Sequence, residues 1–390
     1  MPSQREPFLT AKLQGFGTTI FAEMSALALA TDSINLGQGF PDTDAPREIL
    51  DAAIEAINSG LNQYPPGPGM PVLRQAISAH QQRFYGLAYD PDREVLVTTG
   101  ATEALAGALL GLLDTGDEVV VFDPMFDSYA PCIAMAGAVA KPVLLRPPHY
   151  TFDPDELRAA VTAKTKLILL NTPHNPTGRV FTRDEMLSIA AIAIERDLIV
   201  VTDDVYEHLV FDGAAHVAMA ALPGMRERTL SISSGGKTFN TTGWKIGWLC
   251  GPAPLVQAAR TAKQFLTYVS GGPFQPAIAV GLGLPDAFFA GIAADLQAKR
   301  DRLLPGLVEA GFTVFPTSGT YFVTVDIRPL QPDGDGMAFC RALPRHCRVV
   351  AIPNEVLYAN KDAGRHLVRF AFCKRLDVLD EAVARLRTLG

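Results

Sequence analysis

The sequence predicts an α/β protein with a mostly parallel central sheet, helices on both faces, and a smaller α+β domain. Between residues 94 and 250, apolar, β-branched runs of strand length alternate with helical segments. The predicted strands are 94–99, 118–122, 166–171, 198–202, 229–233 and 246–250. Strands that are apolar throughout and alternate with helices are typical of a parallel sheet covered on both faces. After residue 285 this alternation ends, which indicates a second unit.

The elements outside the sheet divide the chain into three parts: an N-terminal arm (1–45), a large domain (46–285) and a small C-terminal domain (286–390). Helical periodicity predicts helices over 20–30, 46–58, 71–84, 104–113 and 186–195. Two helix starts carry capping signals, Asp153-Pro154 and the pair Thr182 and Glu185. The small domain is predicted to contain helices 287–310, 335–343 and 377–389 and strands 312–315, 321–326 and 367–372. We expect the arm to pack on this small domain.

Composition restricts the partners. The 390 residues are enough for two domains and a large core. A hydrophobic content of 48% with 19% charged residues is typical of a globular protein and not of a disordered chain. The net charge of -7 disfavours nucleic acid or an acidic membrane surface as a partner. The longest apolar helical run, 104–113, is too short to cross a bilayer. We therefore expect no nucleic-acid or membrane partner.

The cysteines indicate a reducing compartment. Five cysteines are scattered along the chain with no paired spacing, so we expect free thiols and a cytoplasmic location. Residues 1–12 contain no apolar stretch of the kind found in a signal peptide. The only cluster with a ligand character, Cys340 with His346 and Cys347, fits no common zinc spacing. No metal site is predicted.

One lysine follows a predicted strand directly. The strand 229–233 breaks into Ser234-Gly235-Gly236, Lys237 comes next, and Lys245 follows eight positions later. Burial would lower the pKa of Lys237, because the charged amine loses hydration. A neutral amine is what Schiff-base chemistry requires. The alternative at this point is a surface lysine on a strand–loop–strand.

Other strand ends carry polar or aromatic groups, and parallel sheets bind ligands at their carboxyl ends. Small residues after 94–99 would leave backbone N–H groups at a helix start, which suits phosphate but also an ordinary tight turn. Phe126 or Tyr129 could present an aromatic face to a flat ligand, or lie in the core. The loop 171–178 could hold an asparagine amide at fixed geometry, or bond its own backbone.

Two further positions carry charge in apolar surroundings. Asp203 and Asp204 end an apolar strand, so one of them requires a cationic partner or solvent if buried. Arg369 lies inside an apolar strand, which indicates a fixed anion, either a ligand or a structural carboxylate.

Together these features match the requirements of one cofactor, pyridoxal phosphate. It needs a lysine for the imine, a phosphate cradle, an acid at the ring nitrogen, donors for the ring oxygen and an aromatic ring to stack on. Each requirement has a candidate after a different strand of the same predicted sheet.

With these motifs assembled, the sequence resembles the fold-type I, pyridoxal-phosphate-dependent class I/II aminotransferases over almost its whole length. The motifs that carry the resemblance are Asn175-Pro-Thr-Gly178, Asp203-x-x-Tyr206, Ser234-x-x-Lys237 with Lys245, and Arg369. Gly37-Gln-Gly-Phe-Pro-Asp42 and the stretch from Lys237 to Lys245 resemble the branch of N-succinyldiaminopimelate aminotransferases and kynurenine/glutamine transaminases.

The resemblance implies a role for each matching residue. Lys237 would form the Schiff base and move the proton, Asp203 would pair with the ring nitrogen, and Arg369 would bind the substrate α-carboxylate. Asn175 and Tyr206 would hydrogen-bond the ring oxygen, Phe126 would stack on the ring, and Gly39 would lie near the substrate. The phosphate would be held by Gly100, Ala101, Thr102, Ser234 and Lys245. Tyr64 would reach the phosphate of a neighbouring subunit in a homodimer.

Two positions depart from the family pattern. Many relatives have arginine where Lys245 stands, so the contact would be a point charge and not a fork. Gly100 has no hydroxyl, so that corner would use backbone donors.

The implied reaction is amino transfer from glutamate to an oxo acid, with N-succinyl-2-amino-6-oxopimelate as the expected acceptor. The alternatives are a kynurenine, glutamine or methionine transaminase, or a β-lyase that cleaves cysteine conjugates on the same fold. Arg5, Arg146 and Arg179 are candidates for the distal carboxylate of the acceptor, and nothing in the sequence places them.

Overall fold

The protein is described from a computed structural model that covers residues 8–17 and 19–389. Its strands are β1 (Ile34–Asn35), β2 (Val95–Thr99), β3 (Glu118–Asp123), β4 (Val139–Leu144), β5 (Thr165–Asn171), β6 (Ile199–Asp203), β7 (Thr229–Ser234), β8 (Ile246–Cys250), β9 (Thr313–Val314), β10 (Phe322–Asp326), β11 (Val349–Val350), β12 (Ile352–Pro353) and β13 (Leu367–Ala371). Its α-helices are α1 (Ile20–Ala30), α2 (Arg47–Asn58), α3 (Pro71–Tyr85), α4 (Gly100–Leu112), α5 (Tyr129–Met135), α6 (Pro154–Ala160), α7 (Arg183–Glu195), α8 (Gly235–Thr238), α9 (Ala253–Lys263), α10 (Phe274–Leu282), α11 (Asp286–Glu309), α12 (Gly336–Cys347), α13 (Lys361–Gly364) and α14 (Leu376–Leu386).

The central sheet has seven strands in the order β2-β8-β7-β6-β5-β3-β4. Only β8 runs antiparallel to its neighbours, and the other pairings are parallel. Strands such as β7, in which every residue is buried, explain the continuous apolar runs in the sequence, because helices cover both faces. The predicted fold class is confirmed.

Several elements were missed by the sequence patterns. The edge strand β4 contains Lys141 and Pro142 and exposes Val139, so it lacks the apolar run that reveals a central strand. Helices α5, α9 and α10 were also not predicted. Helix α4 begins at Gly100, four residues before the predicted start, because the glycine turn itself joins the helix.

The predicted capping signals are confirmed. Thr182 and Glu185 form a capping box at the start of α7, with both reciprocal hydrogen bonds present. The Asp153 side chain accepts from the backbone of Asp155, and Pro154 occupies the first turn of α6. These local interactions fix where the helices begin without help from tertiary contacts.

A second sheet, with the antiparallel order β12-β13-β10-β9, lies in the C-terminal part of the chain. Strand β1 from the N-terminal arm pairs in parallel with β11. The arm is thus tied to C-terminal residues, whereas the domain boundaries at 45/46 and 285/286 stay a prediction. Strand β13 brings Arg369 to the carboxyl ends of the central strands.

Within the part of the chain that the structure describes, no single helix has the length and apolar character needed to cross a membrane; α10 and α11 meet that criterion only as a pair, bent by 91°.

Candidate active site

A cavity of about 380 Å³ lies at the carboxyl ends of the central strands and faces β13. Twelve of the thirteen residues singled out from the sequence line it: Gly39, Gly100, Ala101, Thr102, Phe126, Asn175, Asp203, Tyr206, Ser234, Lys237, Lys245 and Arg369. Ten of them lie at or after the ends of the five central strands β2, β3, β5, β6 and β7, whereas Gly39 follows β1 and Arg369 lies on β13. Their convergence is a property of the parallel sheet, since its strand ends meet at one edge.

Lys237 lies on α8, one turn after β7, and its side chain is half-buried in the cavity wall. Its Nζ donates to the carbonyl of Gly39 at 3.4 Å and faces the rings of Tyr206 and Tyr321. Burial lowers the pKa of Lys237 from 10.5 to about 8, although Asp203 nearby favours the charged form. The amine is therefore neutral far more often than a surface lysine, as a Schiff-base nucleophile must be.

The turn that carries Lys237 requires glycine. A Cβ on Gly235 would lie 2.7 Å from Ile278 Cδ1, and one on Gly236 would lie 3.2 Å from the backbone of Thr242. The glycine-walled turn expected from the sequence is present, and the half-buried side chain of Lys237 argues against a freely solvated surface lysine.

Asp203 ends β6 and is buried, with 8% of its surface exposed. The Tyr129 hydroxyl donates to its Oδ2 at 2.6 Å, and the Asn171 amide donates to its backbone carbonyl at 2.7 Å. Burial raises the pKa of Asp203, and the bond from Tyr129 opposes that shift. The neighbouring Asp204 accepts from the Thr202 hydroxyl at 2.6 Å. Hydroxyl donors therefore supply the closest contacts of both carboxylates. The sequence had indicated that one of the two would require a cationic partner or solvent.

Gly100 and Lys245 form the polar corner of the cavity. Gly100 has a φ of +71°, and a Cβ there would lie 3.1 Å from both Cε and Nζ of Lys245. On β8, a Cβ on Gly247 would lie 2.3 Å from the Gly100 carbonyl carbon. The Glu103 carboxylate accepts from the Thr99 N–H at 2.6 Å and fixes the start of α4. The corner thus presents the N-terminus of a 13-residue helix together with a lysine, which suits an anion.

Arg369 on β13 lines the same cavity and is buried, with 2% of its surface exposed. Its Nη1 donates to the Asn175 side chain at 2.8 Å and its Nη2 to the Gly37 carbonyl at 2.9 Å. Its Nε has no hydrogen-bond partner among the described residues. Burial lowers the pKa of Arg369 to about 10. A buried guanidinium with an unpaired donor is chemically suited to bind a carboxylate.

Sequence reasoning missed several residues that line the cavity or hold its groups. The sequence predicts Tyr129 as an aromatic face or a core residue, and not as the donor whose hydroxyl binds Asp203, 74 positions away. Tyr321 binds the Gly39 carbonyl at 2.6 Å, and the Phe322 ring lies 3.9 Å from the Arg369 guanidinium. Phe21, Gln38 and Asp127 also line the cavity. None of these has a local sequence signal, because each depends on a contact distant in the chain.

Three of the expected residues do not line the cavity. Tyr64 is 83% exposed and contacts only the ring of Tyr268 among the described aromatic side chains. Arg146 pairs with Glu156, and Arg179 pairs with Glu185; neither arginine lines the cavity. Arg5 lies outside the described residues.

A second group of titratable side chains lies behind Asp203. His80 and His208 share a hydrogen bond between their Nε2 atoms at 2.8 Å, and Glu207 accepts from the Ser233 hydroxyl at 2.6 Å. Burial lowers the pKa of His80 to about 3, so its imidazole is neutral. Hydrogen bonds satisfy part of this group, whereas the Nδ1 of His80 has no partner among the described residues.

Comparison with known proteins agrees with this geometry. The family Aminotransferase class I and II matches residues 31–386. The chain is 52% identical to the probable N-succinyldiaminopimelate aminotransferase DapC of Mycobacterium tuberculosis, across 97% of this chain and 98% of that protein. It is 39% identical to the methionine aminotransferase of Escherichia coli, across 97% and 98%. The solved structure of the N-succinyldiaminopimelate aminotransferase from Mycobacterium tuberculosis superimposes with a TM-score of 0.96 at 53% identity, covering 98% of this chain and all of that one. The chain therefore belongs to the class I and II aminotransferase family.

Proposed function

We propose that this aminotransferase depends on pyridoxal phosphate and moves an amino group from glutamate to N-succinyl-2-amino-6-oxopimelate, in the synthesis of lysine and diaminopimelate. The cofactor assignment rests on three groups that line one cavity. They are a lysine amine of lowered pKa, a buried carboxylate and a glycine-lined anion corner. The observation that carries the choice of acceptor is 52% identity over nearly the whole chain to a relative named for that substrate.

The residues present fit pyridoxal phosphate. At the anion corner, a side chain on Gly100 would crowd the Lys245 amine, and a side chain on Gly247 would clash with the backbone of Gly100 and Ala101. The N–H groups of residues 100–102, the hydroxyls of Thr102 and Ser234, and the amine of Lys245 are donors for a phosphate. Phe126 lines the cavity and is available to stack on a flat ring. Its ring is held by an edge contact with Tyr129, with centroids 5.6 Å apart.

Pyridoxal phosphate, when bound, supplies a conjugated ring that accepts the electron pair left at the substrate α-carbon after its proton departs. The protein supplies the remaining functions. Lys237 would hold and move that proton, and the Asp203 carboxylate, oriented by Tyr129, would accept the N–H of a protonated ring nitrogen. Asn175 and Tyr206 would donate to the ring oxygen, and the vacant Nε of Arg369 would bind the α-carboxylate.

We also propose a homodimer in the cytoplasm. Tyr64, Phe265 and Tyr268 form an exposed aromatic patch, and Thr99 ties the loop of this patch to the anion corner through Thr267 and Ser270, each at 2.9 Å. A partner's Tyr64 could therefore reach the phosphate. All five cysteines are free and buried, which is consistent with a reducing compartment.

The cofactor assignment is tested with Lys237→Ala. The variant is expected to bind pyridoxal phosphate weakly and to lack the visible absorption of a lysine-bound cofactor. Thr43→Ala, on the loop near the lysine turn, serves as a control that keeps the absorption. An unchanged spectrum in Lys237→Ala would refute the assignment.

The acceptor is tested by a paired assay of the wild-type enzyme. Glutamate with the succinylated oxo acid is compared with kynurenine plus 2-oxoglutarate and with methionine plus 2-oxoglutarate. We expect the largest kcat/KM for the succinylated acceptor. Fast kynurenine or methionine turnover with none of the succinylated compound would assign the enzyme to that other branch. Release of pyruvate from a cysteine conjugate without an oxo acid would identify a β-lyase.

A further inference from the structure

Tyr321 lies directly behind Lys237, in the wall between two cavities. The first is the site described above, and the second has a volume of about 290 Å³ and lies between the lysine turn and α11. Lys237 lines both cavities, whereas Gly39 lines only the first and Tyr321 only the second. The Tyr321 side chain is 1% exposed. Its hydroxyl therefore acts only on the groups packed against it.

The carbonyl oxygen of Gly39 joins Tyr321 to Lys237. It accepts from the Tyr321 hydroxyl at 2.6 Å and from the Lys237 amine at 3.4 Å. The amine also lies 5.7 Å from the Tyr321 ring centroid and 5.9 Å from that of Tyr206. These two rings are 5.4 Å apart and nearly perpendicular, so they bound the amine on two sides. An ammonium group is attracted to both ring faces.

The backbone before Tyr321 is held in a strained conformation. Thr320 has a φ of +64°, which is unfavourable for a β-branched residue. Its N–H donates to the Leu209 carbonyl at 2.9 Å, and its hydroxyl accepts from the Phe322 N–H at 3.0 Å. Strain of this kind persists where surrounding contacts impose it, and it is concentrated at functional sites. Here the contacts of Thr320 hold the backbone immediately before Tyr321, just ahead of β10.

Gly39 allows the close approach that this contact requires. A Cβ at Gly39 would lie 2.4 Å from the Phe322 ring and 2.9 Å from the Tyr321 ring. Any other residue would push the backbone carbonyl away from both the tyrosine hydroxyl and the lysine amine.

We propose that Tyr321 is a positioning residue for Lys237: through the Gly39 carbonyl, it fixes the resting place of the lysine amine when that amine is free. The inference relies on the proposed role of Lys237 as the group that moves the α-proton. A four-carbon side chain has many rotamers, and proton transfer is efficient only when the amine is held within reach of the α-carbon. Tyr321 limits that search without touching substrate or cofactor.

The test is Tyr321→Phe in the cofactor-loaded enzyme, which keeps the ring and removes the hydroxyl. We expect kcat to fall by roughly 5- to 50-fold. Only part of the contribution of proton transfer is lost, because the Lys237 amine is still present but no longer held in position. KM for glutamate should stay within about twofold, because Arg369 still binds the carboxylate. The isotope effect on kcat with α-deuterated glutamate should rise, since proton transfer becomes slower than the other steps.

Tyr89→Phe is the matched control, because Tyr89 is buried and its hydroxyl has no hydrogen-bond partner among the described residues. It should keep the wild-type kcat and isotope effect. A Tyr321→Phe enzyme with the wild-type isotope effect would overturn the proposal. An equal loss of kcat in Tyr321→Phe and Tyr89→Phe would also overturn it. The visible absorption of lysine-bound cofactor is measured in parallel. If that absorption is absent from the wild type, the proposed function fails; if it is present, the kinetic result tests Tyr321 alone.

Discussion

At the scale of single residues, the departures of this chain from the family pattern have a structural explanation. Because Gly100 has no hydroxyl, the sequence predicts that this corner of the phosphate site uses backbone donors. Gly100 has a φ of +71°, and a Cβ at this position would lie 3.1 Å from the Lys245 amine. A residue larger than glycine would therefore displace the lysine side chain. Lys245 itself has a left-handed φ of +56°. The smaller side chain at one position thus makes room for the point charge at the other.

The lowered pKa of Lys237 leads to a prediction about cofactor capture. Only the neutral amine attacks an aldehyde, and its fraction rises as pH increases through a pKa of about 8. The rate at which cofactor-free protein captures pyridoxal phosphate should therefore rise with pH and level off above about 8. Stopped-flow absorbance measures this rate.

The control for this prediction is N-acetyl-lysine amide under the same conditions. Its rate should continue to rise towards an ordinary lysine pKa of about 10.4, and the ratio of the two rates removes the titration of the cofactor itself. A constant ratio across the pH range would show that Lys237 titrates as a solvated lysine.

At the scale of elements, two loops brought together by the fold share one contact. The loop after β5 ends at Gly178, and the Gly178 carbonyl accepts from the N–H groups of Ser318 and Gly319 at 2.9 and 2.8 Å. The first loop carries Asn175, which binds Arg369, and the second leads to Tyr321. The loop that holds Arg369 and the segment that leads to Tyr321, beside Lys237, are thus connected through a single turn.

Gly178→Ala is predicted to destabilise the protein strongly. Gly178 has a φ of +72°, and a Cβ would lie 1.8 Å from the Thr317 hydroxyl oxygen. The left-handed backbone and the overpacking should together lower the free energy of unfolding by about 2–4 kcal/mol. Chemical denaturation followed by circular dichroism measures the change.

The matched control is Gly213→Ala. Gly213 has a φ of +74°, but a Cβ there would meet no described heavy atom within 4 Å. It should lose only the backbone contribution, about 1–2 kcal/mol. Equal losses for the two variants would mean that the contact with Thr317 contributes nothing.

At the scale of the whole molecule, the exposed aromatic residues lie next to the anion corner. Phe265 is 81% exposed and lies on the loop that Lys263 anchors through the Gly67 carbonyl at 3.1 Å. An exposed aromatic patch of this kind is typical of an interaction surface. We propose that a second copy covers it, because the family resemblance implies that Tyr64 reaches a neighbouring subunit.

Phe265→Asp is predicted to dissociate the dimer and weaken cofactor binding together. A buried charge at the interface would oppose association, and the loss of the partner's Tyr64 would remove a phosphate contact. Sedimentation should give the mass of a dimer for the wild type and of a monomer for the variant.

The control is Val308→Asp, an exposed apolar residue near the end of α11, which should remain a dimer. Sedimentation of Phe265→Asp as a dimer with unchanged cofactor affinity would place the interface on another surface.

The sequence by itself determined the central strands, the capped helices and most of the candidate site. These features arise from local chemistry. Apolar runs identify buried strands, Thr182 with Glu185 forms a capping box, and the turn before Lys237 contains the glycines that its geometry requires. Because parallel strands end at one edge, residues after different strands could be expected to meet.

Only the tertiary structure decided the contacts that give the site its chemistry. Three hydrogen bonds join residues that are far apart in the chain. They run from Tyr129 to Asp203, from Arg369 to Asn175 and from Tyr321 to Gly39, over 74, 194 and 282 positions respectively. The edge strand β4 was missed for a related reason, since pairing with β3 and not apolar content makes it a strand. Burial, which lowers the pKa of Lys237, is likewise set by the packing of the whole chain and not by its neighbours in sequence.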